Sequence, residues 1–203
     1  MRGKIGLFGV LALFGLVIVI FGMFSYIGHS AEYQTGSTTM SVTVRGYVSI
    51  LVSQNITSGI SFDTQDPNTN DNNATGNDDG PGGGTGYNLT VGTESTVNVN
   101  FTHAANRTNL TTGSSYLGIG NVTTNSNSTA NDGANLMDPS GSTSLSNSWK
   151  AMEDCENLGD GANCWITYFL DVPVNQPPGN YNAGYCWCGR QTGTSESNCG
   201  TCT

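Results

Sequence analysis

Cys164-Trp165-Ile166-Thr167-Tyr168-Phe169-Leu170-Asp171-Val172 is the stretch from which the fold is read. It holds aromatic and β-branched residues and no Gly or Pro, the composition of a strand that fits a pleated, buried surface. Pro177-Pro178-Gly179-Asn180 follows as a turn, and Tyr181 to Cys188 reads as a returning strand, which makes a late hairpin. Upstream, Ser41 to Val52 alternates and then turns apolar, as a strand entering a core does. Tyr87 to Val91 and Thr96 to Thr102 both alternate at period two. Gly92-Thr93-Glu94-Ser95 lies between them, so they read as a second hairpin. Ile60-Ser61-Phe62 and Tyr116 to Ile119 are weaker strand signals. Ser148 to Leu158 is the one helical signal in the exterior part, and it is short.

Two stretches carry too little apolar surface for a core. Asp63 to Gly86 is almost wholly Asp, Asn, Gly, Thr and Pro, and Asn121 to Ser148 is similarly polar. Both read as long loops or disorder. About seven strands with turn-rich connections give an all-β expectation: an antiparallel immunoglobulin-like β-sandwich.

Ahead of all this stands a segment of another kind. Ile5 to Ile27 is a 23-residue uncharged, overwhelmingly apolar run behind Met1-Arg2-Gly3-Lys4. As a helix it would reach roughly 34 Å, against a bilayer hydrocarbon core of about 30 Å. It predicts one N-terminal hydrophobic α-helix within residues 1–30, joined to an extracellular domain over 31–203. Arg2 and Lys4 precede the run and no basic residue follows until Arg45, so the N-terminus is expected on the cytoplasmic side before any processing. A long signal peptide, cut near Gly28-His29-Ser30-Ala31, is the other reading of the same residues.

The exterior part carries four basic residues (Arg45, Arg107, Lys150, Arg190) against 15 acidic ones, a net charge of −11. Such a surface repels phosphate backbones, which argues against a nucleic acid partner. Its six Cys are Cys155, Cys164, Cys186, Cys188, Cys199 and Cys202. In an exported chain an even set reads as up to three disulfides. Four of them could alternatively hold zinc as thiolates. Cys186 and Cys188 share one face of a strand and could take Cys199 and Cys202 as partners, while Cys155 and Cys164 would close a short loop. Six Cys allow 15 pairings, so spacing leaves the connectivity open.

Eight Asn-x-Ser/Thr sequons stand at Asn55, Asn73, Asn88, Asn100, Asn106, Asn109, Asn121 and Asn127, where composition alone would give about five. On an exported chain each is a candidate glycan acceptor. Asp66, Asn68 and Asn70 resemble the start of a calcium loop, with oxygens at alternating positions. Asp71 and Asn77 then stand where that loop needs Gly and a bidentate acid, which favours a solvated loop. Trp149, Trp165, Trp187, Tyr181 and Tyr185 form the candidate sugar-stacking set, with core packing as the commoner role for such residues. His29 and His103 are the only imidazoles, His103 reads as a solvated strand end, and no nucleophile elbow is present. No enzyme, cofactor or resident metal is expected.

Arg2-Gly3-Lys4-Ile5-Gly6 and the apolar run resemble the start of archaeal type IV pilins and archaellins. That resemblance implies cleavage after a basic residue and a Gly, a helix packed into a filament core and a β-sandwich head outside. Val42 to Val52 and Trp165 to Tyr181 resemble segments of secreted prokaryotic β-sandwich proteins. Fibre-forming subunits, some joined by donated strands, are among these. The expected function is a non-enzymatic cell-surface structural subunit that assembles with itself or with other surface proteins. The rival is a single-pass anchored module binding carbohydrate or calcium.

Overall fold

The computed structural model describes residues 41–77, 86–129 and 138–203. The apolar run at 5–27 lies outside them, as does the rest of residues 1–40, so the expected N-terminal helix is not part of this description. Among the described residues no helix is long and apolar enough to cross a membrane. The chain divides into two compact units, 1–43 and 44–203, and the β-strands belong to the second.

The architecture is antiparallel β. Strand β10 (Asn163–Val172) is its centre, as its composition predicts. One edge pairs with β7 (Val122–Asn127) from Trp165 to Leu170. The other edge is shared end to end: β3 (Tyr87–Val91) takes Asn163 to Ile166, and β2 (Thr69–Asn73) takes Phe169 to Val172. β1 (Ile50–Val52) extends the sheet beyond β3, and β8 (Thr143–Ser144) beyond β7. A second sheet has the order β11 (Tyr185–Gln191), β4 (Val99–Ala105), β9 (Lys150–Ala151). β5 (Asn109–Thr111) and β6 (Tyr116–Gly118) form a separate pair. A single turn of helix, α1 (Gln54–Ser58), is capped by the Ser53 hydroxyl and stopped at Gly59, whose φ of 101° suits a residue without Cβ.

Both expected hairpins are corrected. β3 and β4 belong to different sheets, and so do β10 and β11. In each case the connection crosses between sheets, because both strands have an apolar side to bury. Leu89 and Val91 from β3, Cys164, Ile166 and Tyr168 from β10, and Val99 and Phe101 from β4 meet in one core cluster, with Tyr185 and Trp187 of β11 against it. A direct hairpin would put these faces side by side in one sheet instead of against each other. Gly189 on β11 is required by this closure: a Cβ there would lie 2.6 Å from the Ile50 side chain.

The polar stretches also fold. β2 sits inside the expected loop 63–86, and β7 and β8 inside 121–148. β7 buries Val122 and pairs with β10 along its backbone ladder, whereas β2 has no apolar side chain and is held by amide bonding to β10. Asn77 shows how this works: its Oδ1 accepts the Tyr168 N–H at 2.9 Å and its Nδ2 donates to the Tyr168 carbonyl at 2.8 Å, so one side chain copies a backbone pair. Asn72 Nδ2 donates to the Leu170 carbonyl in the same way. On β7 the buried Ser126 hydroxyl donates to the Glu153 carbonyl at 2.7 Å. The expected helix at 148–158 is replaced by β9 and a turn held by a disulfide. The entry strand shrinks from 41–52 to β1, with Val42 and Val44 85% and 83% exposed.

Candidate functional site

Three features of the domain have chemistry beyond ordinary packing: a disulfide-clamped tail, a buried Tyr–His chain and an apolar groove.

β11 presents Tyr185, Trp187 and Gly189 to the core, so Cys186 and Cys188 point the other way. Cys186 bonds Cys202 and Cys188 bonds Cys199, with Cα–Cα distances of 5.7 and 5.8 Å. The pair straps the C-terminal residues to the outer face of the second sheet. Trp149 Nε1 adds a hydrogen bond to the Gly200 carbonyl at 2.7 Å. This strap explains an oddity of β4, which is buried at all seven positions although its sequence alternates. Thr102 and Ala104 face away from the core, yet the tail covers them, and Thr102 Oγ1 lies 3.4 Å from Cys199 Sγ. The third bond, Cys155–Cys164, has both residues fully buried. Cys155 accepts the Phe101 N–H of β4, and Cys164 lies on β10, so this bond crosses the core from one sheet to the other. All six Cys are oxidised and none is free, which places the chain in an oxidising environment, as outside the cell. Disulfides closing loops of this size contribute about 2–4 kcal/mol each.

His103 is corrected from a solvated strand end to an interior residue, 2% exposed. Tyr168 Oη donates to Tyr185 Oη at 2.9 Å, and Tyr185 Oη lies 3.1 Å from His103 Nδ1. A phenol oxygen has two acceptor lone pairs, so Tyr185 either donates to Nδ1 or accepts from it, according to the imidazole tautomer. Burial, with a smaller contribution from the positive charge of Lys150, depresses the His103 pKa to about 4. Lys150 lies directly across the ladder from His103. Burial likewise raises both phenols, Tyr168 well above the ordinary value. The edge-on stacking of Tyr87, Tyr168 and Tyr185 continues the chain through the core.

At the far end of β10, Phe62, Leu110, Leu117, Leu170, Val172 and Tyr181 line a groove of about 580 Å³. Its walls are the loops at 60–67 and 176–183, with Asp63 and Asp66 exposed on the rim. Leu117, Leu170 and Val172 belong to a second core cluster with Ile119, Val122 and Leu145, and Phe62, Leu110 and Tyr181 pack against it. This groove is the candidate binding site, and the sequence reading missed it. Its residues come from five separated segments, and no local pattern joins them.

The other sequence candidates scatter. The suggested sugar-stacking set does not converge: Trp165 is on β10, Tyr185 and Trp187 pack on the core, Trp149 holds the tail and Tyr181 lines the groove. Asp66 and Asn68 precede β2 and Asn70 lies within it. The stretch is organised by the ladder to β10, with the Asn68 N–H on the Val172 carbonyl. No group of three or more His, Cys, Asp or Glu placed to hold a metal occurs among the described residues. Of the sequons, Asn73 is exposed, and Asn55, Asn88, Asn106, Asn109, Asn121 and Asn127 are partly so. Asn100 is 9% exposed, and its Oδ1 accepts the Asn157 N–H and the Thr192 hydroxyl. The folded domain has no room for a glycan there.

Comparison with known protein families, curated proteins and solved structures finds no match.

Proposed function

We propose that this chain is a non-enzymatic structural subunit of a cell-surface filament or layer, acting by self-assembly. The observation that carries the reading is the joining of a 23-residue apolar run to an acidic domain clamped by three disulfides. An apolar segment of that length must be buried, in a bilayer or against neighbouring copies. The domain behind it is built to persist outside the cell, where covalent links replace upkeep by the cell's folding machinery. We read the domain as an immunoglobulin-like sandwich. The core shared by β3, β10, β4 and β11, and the Cys155–Cys164 bond across it, support that reading. The same argument puts the chain at the cell surface, anchored or polymerised through residues 5–27.

The test is negative-stain electron microscopy of native surface fractions, with antibody labelling of this chain. Labelled filaments or sheets are expected. The groove, with its apolar floor and polar rim, favours the second reading, an anchored module that binds a ligand. If the chain is found only as a membrane-bound monomer, that second reading replaces the first.

A further inference from the structure

The domain is polar in a geometric sense. Its chain enters beside the start of β10: Ile50 pairs with Val91, and the neighbouring Thr90 pairs with Asn163. The groove lies at the other end of β10, around Leu170 and Val172. Ten residues of strand, about 30 Å, separate the two.

Each end also lacks something the other has. Along the entry, Val42 and Val44 are two residues apart and so share a face of an extended segment, and both are almost fully exposed. At the groove, apolar side chains line a space that no described residue fills. Arg45 follows Val44 and has no ion-pair partner among the described residues, where the one salt bridge is Arg190 with Glu196. The groove rim offers Asp63 and Asp66. In a chain with four basic residues beyond its first 30, the position of Arg45 beside two exposed valines is a second, independent match.

We propose that the groove seats the entry segment of a second copy of this chain, with Val42 and Val44 as anchors and Arg45 against Asp63 and Asp66. This rests on the self-assembly reading and names its joint. Val44 and Arg45 begin the domain at the end of β10 remote from the groove, so the contact is heterologous. Repeated, it gives an open fibre, or a ring where the rotation between copies closes. The mode is insertion of an extended segment with alternate side chains in a pocket.

The test uses the full chain, purified from its native surface in mild detergent and followed by light scattering and electron microscopy. An entry variant carries Val42→Asp and Val44→Asp, and a groove variant carries Leu110→Asp. A mass pattern of three intact disulfides confirms that each folds. Should Leu110→Asp disturb β5, Tyr181→Ala takes its place. Each variant alone is expected to stay monomeric, with the concentration needed for assembly raised at least about tenfold. Mixed in equal amounts they should form dimers and nothing longer, because one good donor then meets one good acceptor. Unchanged polymerisation of the entry variant would overturn this joint, and would assign assembly to the apolar run. A mixture that stays monomeric would overturn it too. If the unaltered chain itself does not polymerise, the self-assembly reading falls with it.

Discussion

Acidification should destabilise this domain in part through His103. Its imidazole is buried and neutral, and its pKa in the folded state is about 4, against 6.5 in the unfolded chain. Above pH 6.5 both states hold the ring neutral and the shift costs nothing. Between 6.5 and about 4 the unfolded chain binds a proton that the folded domain refuses, so stability falls with pH at up to about 1.4 kcal/mol per unit. Below about 4 both states are protonated and the loss levels off, at about 3 kcal/mol in total. Lys150 lies across the ladder from the ring, and Glu153 lines the small cavity that His103 also lines. The assay is urea unfolding at steps from pH 7.5 to 3.5, for the native chain and for His103→Gln. Carboxylates titrate in both proteins, so the difference between the two curves isolates His103. That difference should open through the 6.5 to 4 window and then stay constant. Parallel curves would refute the reasoning, as would an NMR titration placing His103 near 6.5.

Further outcomes follow from the same structure. Peptide mapping without reduction should recover Cys155–Cys164, Cys186–Cys202 and Cys188–Cys199, with the intact mass six hydrogens below the reduced one. A bond from Cys199 or Cys202 to Cys155 or Cys164 would remove the strap over β4 and refute this arrangement. Glycan mapping should find Asn73 and Asn127 used before Asn88, Asn109 and Asn121, and Asn100 empty. Among the described residues the Asn73 and Asn127 amide nitrogens donate no bond, whereas Asn88, Asn109 and Asn121 each donate theirs. Phe101→Ala should cost about 3–5 kcal/mol in urea unfolding, since the ring is fully buried where the two sheets meet. Cys188→Ala with Cys199→Ala should cost about 2–4 kcal/mol and raise hydrogen exchange along β4, because the tail then hangs by one bond.

The strands were legible where side chains alternate or run apolar, as in β3, β4 and β10. The helix expected at 148–158 failed because Cys155 is drawn to Cys164, an attachment whose partner on β10 no local window contains. β2 and β7 were invisible for a related reason. Their Asn, Thr and Ser side chains are poor in burial energy, and they are held by bonds to a strand up to about a hundred residues away. Pairing partners were misjudged wherever two neighbouring strands could be taken for a hairpin.

Residue order alone shows the all-β character of the exterior domain, its acidity and its oxidised cysteines. These follow from composition and local period, which one strand or one compartment enforces without help from the rest of the chain. Long-range packing sets which strands share a sheet, buries His103 beside Tyr185, closes Asn100 to modification, and opens an apolar groove a strand's length from the entry of the chain. Each of these depends on residues far apart in sequence meeting across a core, and period and propensity carry no information about that meeting.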